Sequence, residues 1–460
     1  MLEHYHFDPE EFERLRSLYC AGRLSLKSNV INHKNSWKVR PPRPEDSTDL
    51  PGDDSEEYHA GRRLLREGRC AMILMNGGAA TRFQEAGEET PKGAFEIMEI
   101  AGHPRSFMEI KLAHARWAEE EYGGGIPIWI LNSYFTDEKT RSILQANHFY
   151  GKESVFTYRQ GIMKRLIPME GDLDLHYGRE LKKLGEATAF SSGPARGKRE
   201  QELRELEERL REWRATSRRH GGEVFSAREQ RDGYNPPGHL DATLFLILDP
   251  SRPLLRMIEM GVRYVNISNI DNLGATVHPG LFGLLESIGE RVKILCEVSE
   301  KPSGQKGGAL ARVFDPTTGG EWTQLIEEFA FPPDFNQDRI PEFNNATYTI
   351  ALTTLLELFE LDASLLEKLS REELLKRVGR VTSRLPVYAA MKEIKEKAGE
   401  KEVLHPVIQF ERLQGDITRL IPPLGVKTAN RFFPVKKRED IPVVVPRLRG
   451  VLEGKLILQA

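Results

Sequence analysis

An Asn-Gly-Gly turn closes an apolar run early in this chain, and two cations follow it at short spacing. Ala71 to Met75 (AMILM) has the length and bounds of a buried strand, which breaks at Asn76-Gly77-Gly78. Glycine has no Cβ, so the backbone there can approach a ligand closely. Thr81 and Arg82 come next, and Pro91-Lys92-Gly93 brings a second cation ten residues beyond Arg82. Backbone amides and a guanidinium can hold phosphate oxygens, while an ammonium acts as a point charge. The chemistry these residues suit is binding a polyphosphate.

Two familiar phosphate loops do not fit. A Walker A loop ends in Gly-Lys-Ser/Thr, and this one ends in Thr81-Arg82-Phe83. A dinucleotide fingerprint needs a third glycine, and Ala79-Ala80 stand after Gly78. Glu96 and Glu99 fall near its expected acid, but Lys92 has no role in that fold. A dinucleotide-dependent oxidoreductase is therefore disfavoured.

Further groups recur downstream. Tyr234-Asn-Pro-Pro-Gly238-His239 is a turn whose glycine permits close approach and whose histidine can donate to a phosphate or base. Ser268-Asn269-Ile270-Asp271-Asn272 follows a strand pattern, so Asp271 is expected on a loop where a carboxylate could hold Mg²⁺. Phe343-Asn344-Asn345 offers amides suited to sugar hydroxyls, and Arg431-Phe-Phe-Pro-Val-Lys436 brings another cation from far along the chain.

The elements that must position these residues alternate between strand and helix. Strands are expected at Pro127–Leu131, Ala242–Leu248, Tyr264–Ile267, Val292–Val298 and Ala309–Phe314, with helices near 106–122, 137–147, 251–261 and 279–288. That alternation predicts an α/β fold with a mainly parallel sheet, whose ligands bind outside the carboxyl ends of the strands. Asp8-Pro9-Glu10-Glu11 starts a helix expected to run to about Ala21, and another is expected near 57–68. Residues 38–56 are proline-rich and polar, a linker or a strapped surface segment. The domains expected are an N-terminal helical segment and linker over 1–68, a main body over 69–360, and a small C-terminal domain over 361–460. Helices are expected at 362–378 and 385–398, with short strands at Ile441–Pro446 and Lys455–Leu458. Within the body, 194–231 reads as a charged helical arm whose narrow seam is Leu203, Leu206, Leu210 and Trp213.

Bulk properties narrow the class. In 460 residues, 66 basic against 69 acidic side chains leave a net charge of -3, which argues against a nucleic-acid or anionic-membrane surface. Cys20, Cys70 and Cys296 are too far apart for a zinc site or a disulfide framework. No signal peptide or membrane span is evident, so a cytoplasmic location is expected.

Eight pieces in order resemble the UTP–glucose-1-phosphate uridylyltransferase family: LMNGGAATRF with PKG, LNSYFTDEKT, FTYRQGIMKRLIP, YNPPGH, ISNIDNLGATV, CEVSEKPSGQKGGAL, EFNNAT and RFFPVK. They span about 74–436, most of the chain. The resemblance implies a Rossmann-like nucleotidyltransferase domain with N-terminal helices and a C-terminal domain. It also implies transfer of a uridylyl group from UTP to a sugar-1-phosphate, with Mg²⁺ as cofactor. Met75, Asn76, Gly77, Gly78 and Arg82 would line the nucleotide site, with Lys92 on the phosphates. Gln160 and Gly238 would recognise uracil, and His239 would contact the sugar phosphate. Asn269, Ile270, Glu297 and Asn344 would face the sugar, Asp271 would bind the metal and nucleotide, and Lys436 would reach the reacting phosphates.

Departures fall mainly on the sugar side. Leu240-Asp241 replaces a common Gly-Asp, and FNNAT replaces FNTNN, leaving Ala346 where an amide is usual. Glucose-1-phosphate is the expected acceptor, with N-acetylglucosamine-1-phosphate or a broad sugar range as the alternative. A binding or scaffolding relative without catalysis is disfavoured by the presence of Lys92, Asp271 and Lys436. Only 24 residues follow Lys436, too few for the C-terminal β-helix of eukaryotic relatives. A monomer is expected, or a dimer through another surface such as the 203–213 seam.

Overall fold

A computed structural model describes the chain apart from residues 34, 79–89, 101, 229, 302–304, 399–400 and 453–460. Arg82 of the expected phosphate loop and the strand expected at Lys455–Leu458 lie outside the described residues. Eight strands form the main sheet: β1 (Ser47–Asp49), β2 (Cys70–Asn76), β3 (Ile128–Asn132), β4 (Val155–Arg159), β5 (Tyr264–Asn269), β6 (Ile294–Glu300), β7 (Glu342–Ala351) and β8 (Pro423–Lys427). Their order is β1-β8-β6-β7-β5-β2-β3-β4. Only β7 runs antiparallel to its neighbours, so the other seven strands end along one edge.

Strand β2 explains why both faces are covered. All seven of its residues are buried. Cys70, Met72 and Leu74 enter a core with helices Glu56–Arg66, Phe107–Tyr122 and Pro279–Ile288. Ala71, Ile73 and Met75 point the other way, toward helices Asp241–Leu248, Pro253–Glu259 and Arg371–Thr382. A continuous apolar run with alternate residues feeding two cores is what a parallel strand requires.

Three expected elements differ in type. Ala242–Leu248, expected as a strand, is the helix Asp241–Leu248, and every residue of it is buried. A helix buried all round has no polar stripe, so its sequence cannot be told from a buried strand. The helix expected at 385–398 is the strand Tyr388–Ala398, paired with Lys401–Glu411. Its Lys, Glu and Ala content favours helix, but packing of Ala389 and Met391 with Ile408 and Phe410 overrides that propensity. Ile441–Pro446, expected as a strand, lies in the helix Ile441–Leu452, whose buried Leu448 and Leu452 are one turn apart. Just before it, Asp440 closes the short turn Arg438–Asp440 by accepting from Lys436 N and Lys437 N.

Segment 38–56 is strapped down. Lys38–Arg40 pairs with Ala309–Phe314, which joins a separate three-stranded sheet with Glu321–Ile326. Buried Asp46 accepts from Arg312 Nε at 2.6 Å and from Thr323 Oγ1 at 2.9 Å. The final hundred residues contribute β8 to the main sheet and Phe433, Val435, Leu448 and Leu452 to its core.

The charged arm is a hairpin of helices Glu170–Ala189 and Gly193–His220. Its seam is used within the chain: Leu206, Leu210 and Trp213 are buried with Tyr177, Ile408 and Phe410. Trp213 Nε1 also donates to Leu404 O at 3.2 Å. The apolar surface of Leu206, Leu210 and Trp213 is thus buried within the chain, which leaves little of the seam for a second copy. Trp213→Ala is expected to cost about 3 kcal/mol or more, as buried Trp truncations do. Urea unfolding checks this, and a change below about 1 kcal/mol would show that the arm is loosely held.

Candidate active site

The carboxyl ends of β2, β3 and β5 meet at one cluster. Asn76 closes β2 and is fully buried. Its Nδ2 donates to Asn132 Oδ1 and Thr140 Oγ1, both at 3.0 Å, and its Oδ1 accepts from Gly93 N at 3.0 Å. One amide thus ties two strand ends to the turn that carries Lys92. Lys92 then donates to Asp271 Oδ2, with each side chain about one-seventh exposed. An acid and a base from distant parts of the sequence meet at the sheet edge.

Gly77 lies against the amide of Gln160. A Cβ there would come within 2.4 Å of Gln160 Nε2. Gln160 is buried, its N donates to Asn132 O at 2.9 Å, and Ser133 Oγ fixes Gly77 O at 2.7 Å. Gly78 is exposed and a Cβ on it would meet nothing within 4 Å. Met75 is buried beneath this turn, and Ile270 N donates to Met75 O at 3.1 Å. Asn269 pairs in register with Met75, so Asn269, Ile270 and Asp271 follow directly from that strand pairing.

A second wall comes from residues 237–241. Gly238 has φ +114, and a Cβ there would lie 2.2 Å from Arg412 O. Only glycine fits both the angle and the approach. His239 is exposed on this wall, with many protein atoms close by. The crowding of that protein around the ring lowers its pKa, as does Lys92, against Glu411 and Asp271, which raise it. Asp241 is buried and accepts from Gly161 N at 2.9 Å, next to Gln160. Burial pushes its carboxyl up to about 7, from an ordinary value of 3.8.

A stability prediction follows from Asp241. Between those two pH values the unfolded chain releases this proton and the folded chain keeps it. Stability from this group is therefore full below about pH 4 and falls as pH rises toward 7. Asp241→Asn can still accept from Gly161 N but cannot ionise. The variant should be more stable than wild type at pH 8, by up to about 4 kcal/mol, with the difference vanishing near pH 4. Denaturant unfolding across pH measures it, and parallel profiles would contradict the assignment.

The third wall is the C-terminal segment. Asn272 Oδ1 accepts from Phe433 N at 3.0 Å, and Asn272 bridges to Pro434. Arg431 grips buried Glu297 with two bonds, Nε to Oε2 at 2.7 Å and Nη2 to Oε1 at 2.9 Å. It also donates to Thr276 Oγ1 at 3.1 Å and Thr276 O at 2.9 Å. This latch holds the segment bearing Lys436 to the loop bearing Asp271. Lys436 itself is exposed, two residues beyond the bridged Pro434. Asn344 Nδ2 donates to Tyr348 Oη at 3.0 Å, and Asn344 Oδ1 accepts from Ala346 N at 3.1 Å. Ala346 takes a left-handed φ of 52°, near a register shift between β6 and β7.

The structure thus groups Met75, Asn76, Gly77, Gln160, Lys92, Asn269, Ile270 and Asp271, with Gly238 and His239 on the facing wall. Glu297 sits behind this cluster, bound to Arg431. Sequence reasoning missed the clamping roles of Arg431, Asn132 and Thr140, which depend on contacts across the fold. Lys111 was also missed. It is a lysine on the buried stripe of helix Phe107–Tyr122, donating to Ala275 O at 2.7 Å. A charge among Phe107, Ile110, Ala115 and Ala118 was the available signal.

Comparison with known proteins identifies the family and the fold. The family model for UTP–glucose-1-phosphate uridylyltransferase matches residues 11–173 and 223–459, leaving out most of the charged hairpin. The UTP–glucose-1-phosphate uridylyltransferase of Musa acuminata is 24% identical over 455 residues, covering 95% of this chain and 76% of that protein. A Schizosaccharomyces pombe protein named Probable UDP-N-acetylglucosamine pyrophosphorylase is 30% identical over 173 residues, 34% of this chain and 35% of its own length. Among solved structures, a UDP-glucose phosphorylase from Trypanosoma brucei superposes with a TM-score of 0.63 at 19% identity, covering 96% of this chain and 76% of that one. The UDP-glucose pyrophosphorylase of Leishmania major gives 0.60 at 18% identity, covering 94% and 74%. These likenesses fix the fold as that of a nucleotidyltransferase. By its family match across both sides of the hairpin, the chain belongs to the UTP–glucose-1-phosphate uridylyltransferase family.

Proposed function

We propose that the protein transfers the uridylyl group of UTP to a sugar-1-phosphate, glucose-1-phosphate first, and releases pyrophosphate. The observation that carries the reading is the Lys92–Asp271 pair at the sheet edge, beside the Gly77–Gln160 contact. An oxygen of the sugar phosphate attacks the α-phosphorus of UTP. The new P–O bond forms as the bond to the β-phosphate oxygen breaks, and pyrophosphate leaves with that electron pair. The nucleophile is already an anion, so no general base is needed. Catalysis is positioning plus charge neutralisation.

Each residue then has a task. Met75, Asn76, Gly77 and Gly78 shape the turn under the nucleotide, and Arg82 and Lys92 are assigned to its phosphates. Gln160 and the backbone at Gly238 read uracil, while His239 meets the sugar phosphate. Asn269, Ile270 and Asn344 border the sugar. Glu297, expected on the hexose, is committed to Arg431 and is assigned to holding the latch. Lys436 offsets charge at the reacting centre.

Asp271 is the residue that would hold Mg²⁺. Among the described residues no group of three or more His, Cys, Asp or Glu side chains forms a metal cage. A single carboxylate suits an ion whose other ligands are water and substrate phosphates. When bound, Mg²⁺ would supply charge neutralisation between the two phosphate groups.

The alternative acceptor is N-acetylglucosamine-1-phosphate, or a broad sugar range, supported by the likeness to the Schizosaccharomyces pombe relative. A pyrophosphate-release assay with UTP and both sugar phosphates separates the two. Higher kcat/KM with glucose-1-phosphate supports the first reading, and the reverse order replaces it. A cytoplasmic location is supported by three unpaired cysteines, and no described helix is long and apolar enough to cross a membrane. With the arm's seam used internally, a monomer or a dimer through another face is the assembly we favour.

A further inference from the structure

Lys111 is a buried cation that the reaction above does not use. Helix Phe107–Tyr122 starts at a Ser106 cap and buries Phe107, Met108, Ile110, Leu112, Ala115 and Ala118. Lys111 lies on that same face and is 3% exposed. Lysines on such faces usually extend their stems until the amine reaches water. This amine stays inside and donates to Ala275 O at 2.7 Å. A methionine would fill the same space without bringing a charge into the core.

Ala275 belongs to the turn that leads away from Asp271. Within that turn Ala275 N donates to Asn272 O at 3.2 Å and Thr276 N donates to Gly274 O at 2.9 Å. The next residue, Thr276, is gripped by Arg431 through both its hydroxyl and its carbonyl. Two cations from different elements therefore hold successive residues of one loop. Arg431 comes from the C-terminal segment and Lys111 from the helix packed against the sheet. We infer that Lys111 is a positioning residue, whose bond to Ala275 O fixes the loop that presents Asp271 to the substrates.

The surroundings support a functional reason for the charge. The groups that act on the amine are Arg431, which disfavours its proton, and Asp271 and Glu297, which favour it. Burial dominates and brings its pKa down to about 7. Its charge therefore opposes folding below about pH 7, and that cost fades as pH rises toward the lysine's ordinary value. A residue kept at such a cost beside a reaction centre fits the usual trade of stability for function.

The inference rests on the uridylyl-transfer reading only for its activity readout. The test compares wild type, Lys111→Met and Lys111→Arg by hydrogen exchange, thermal unfolding and steady-state kinetics. Faster exchange confined to residues 270–277 is expected in Lys111→Met, with partial recovery in Lys111→Arg. Its Tm should equal or exceed wild type at pH 6, with the advantage shrinking by pH 9. Its kcat should fall on the order of 10- to 100-fold, as misplaced reacting groups do, with KM for UTP within about threefold. Unchanged exchange at 270–277, unchanged kcat, or a Tm that falls at every pH would each overturn the inference. A wild-type enzyme with no pyrophosphate release would sink the uridylyl-transfer reading instead, and the exchange result would still decide the role of Lys111.

Discussion

Asp271→Ala is expected to lose on the order of 10²-fold or more in turnover, the scale of removing one preorganised electrostatic group from a reaction centre. Asp271 sits where β5 ends and is paired with Lys92 from the turn after β2. Its carboxylate serves the charge balance of the site in two ways. In the proposed reaction it would hold Mg²⁺, and in the structure it pairs with Lys92. Both side chains of the pair keep some contact with water, so its loss should cost less than the roughly 3–5 kcal/mol of breaking a fully buried pair. Kinetics and unfolding measured on one preparation check this. Near-normal Mg²⁺-dependent turnover in the variant would remove Asp271 from the mechanism.

The second large effect is expected at the latch. Arg431 and Glu297 have side chains only 7% and 1% exposed and share two hydrogen bonds. Removing one partner of such a pair leaves the other charge buried and alone, which costs about 3–5 kcal/mol. Arg431→Met should therefore lower the urea midpoint sharply. Replacing both residues with apolar side chains should recover much of that loss, because the isolated charge is gone. Activity should stay low in the double variant, since nothing then ties the Lys436 segment to the Asp271 loop. Full recovery of activity with stability would show that the pair serves folding alone.

Much of this arrangement was legible in the sequence. The apolar run ending in Asn76-Gly77-Gly78 announced β2 and its turn, because a strand buried on both faces leaves no polar alternation. Lys92 and Asp271 were legible as charged residues at loop positions, and their meeting follows from the pairing of β5 with β2. Other features were hidden because they depend on distant partners. Ala242–Leu248 has no stripe to reveal its helical period. Tyr388–Ala398 has helix-forming residues that become a strand only through the hairpin with Lys401–Glu411. Glu297, expected on the sugar side, has two bonds to Arg431, more than a hundred residues later, that could not be read from the sequence. Asn76 reads as a ligand-binding amide, yet it joins the ends of β2 and β3 to the Lys92 turn.

The central claim, uridylyl transfer at the Lys92–Asp271 centre, is tested most directly by following both products in one reaction. UTP and glucose-1-phosphate are supplied with Mg²⁺ to wild type and to Lys92→Ala, and UDP-glucose and pyrophosphate are quantified together. The account predicts equal amounts of the two products, formation that requires both substrates, and a large loss of kcat/KM in Lys92→Ala with its unfolding curve little changed. Pyrophosphate formed without the sugar phosphate, inorganic phosphate as the product, or an undiminished Lys92→Ala enzyme would contradict it.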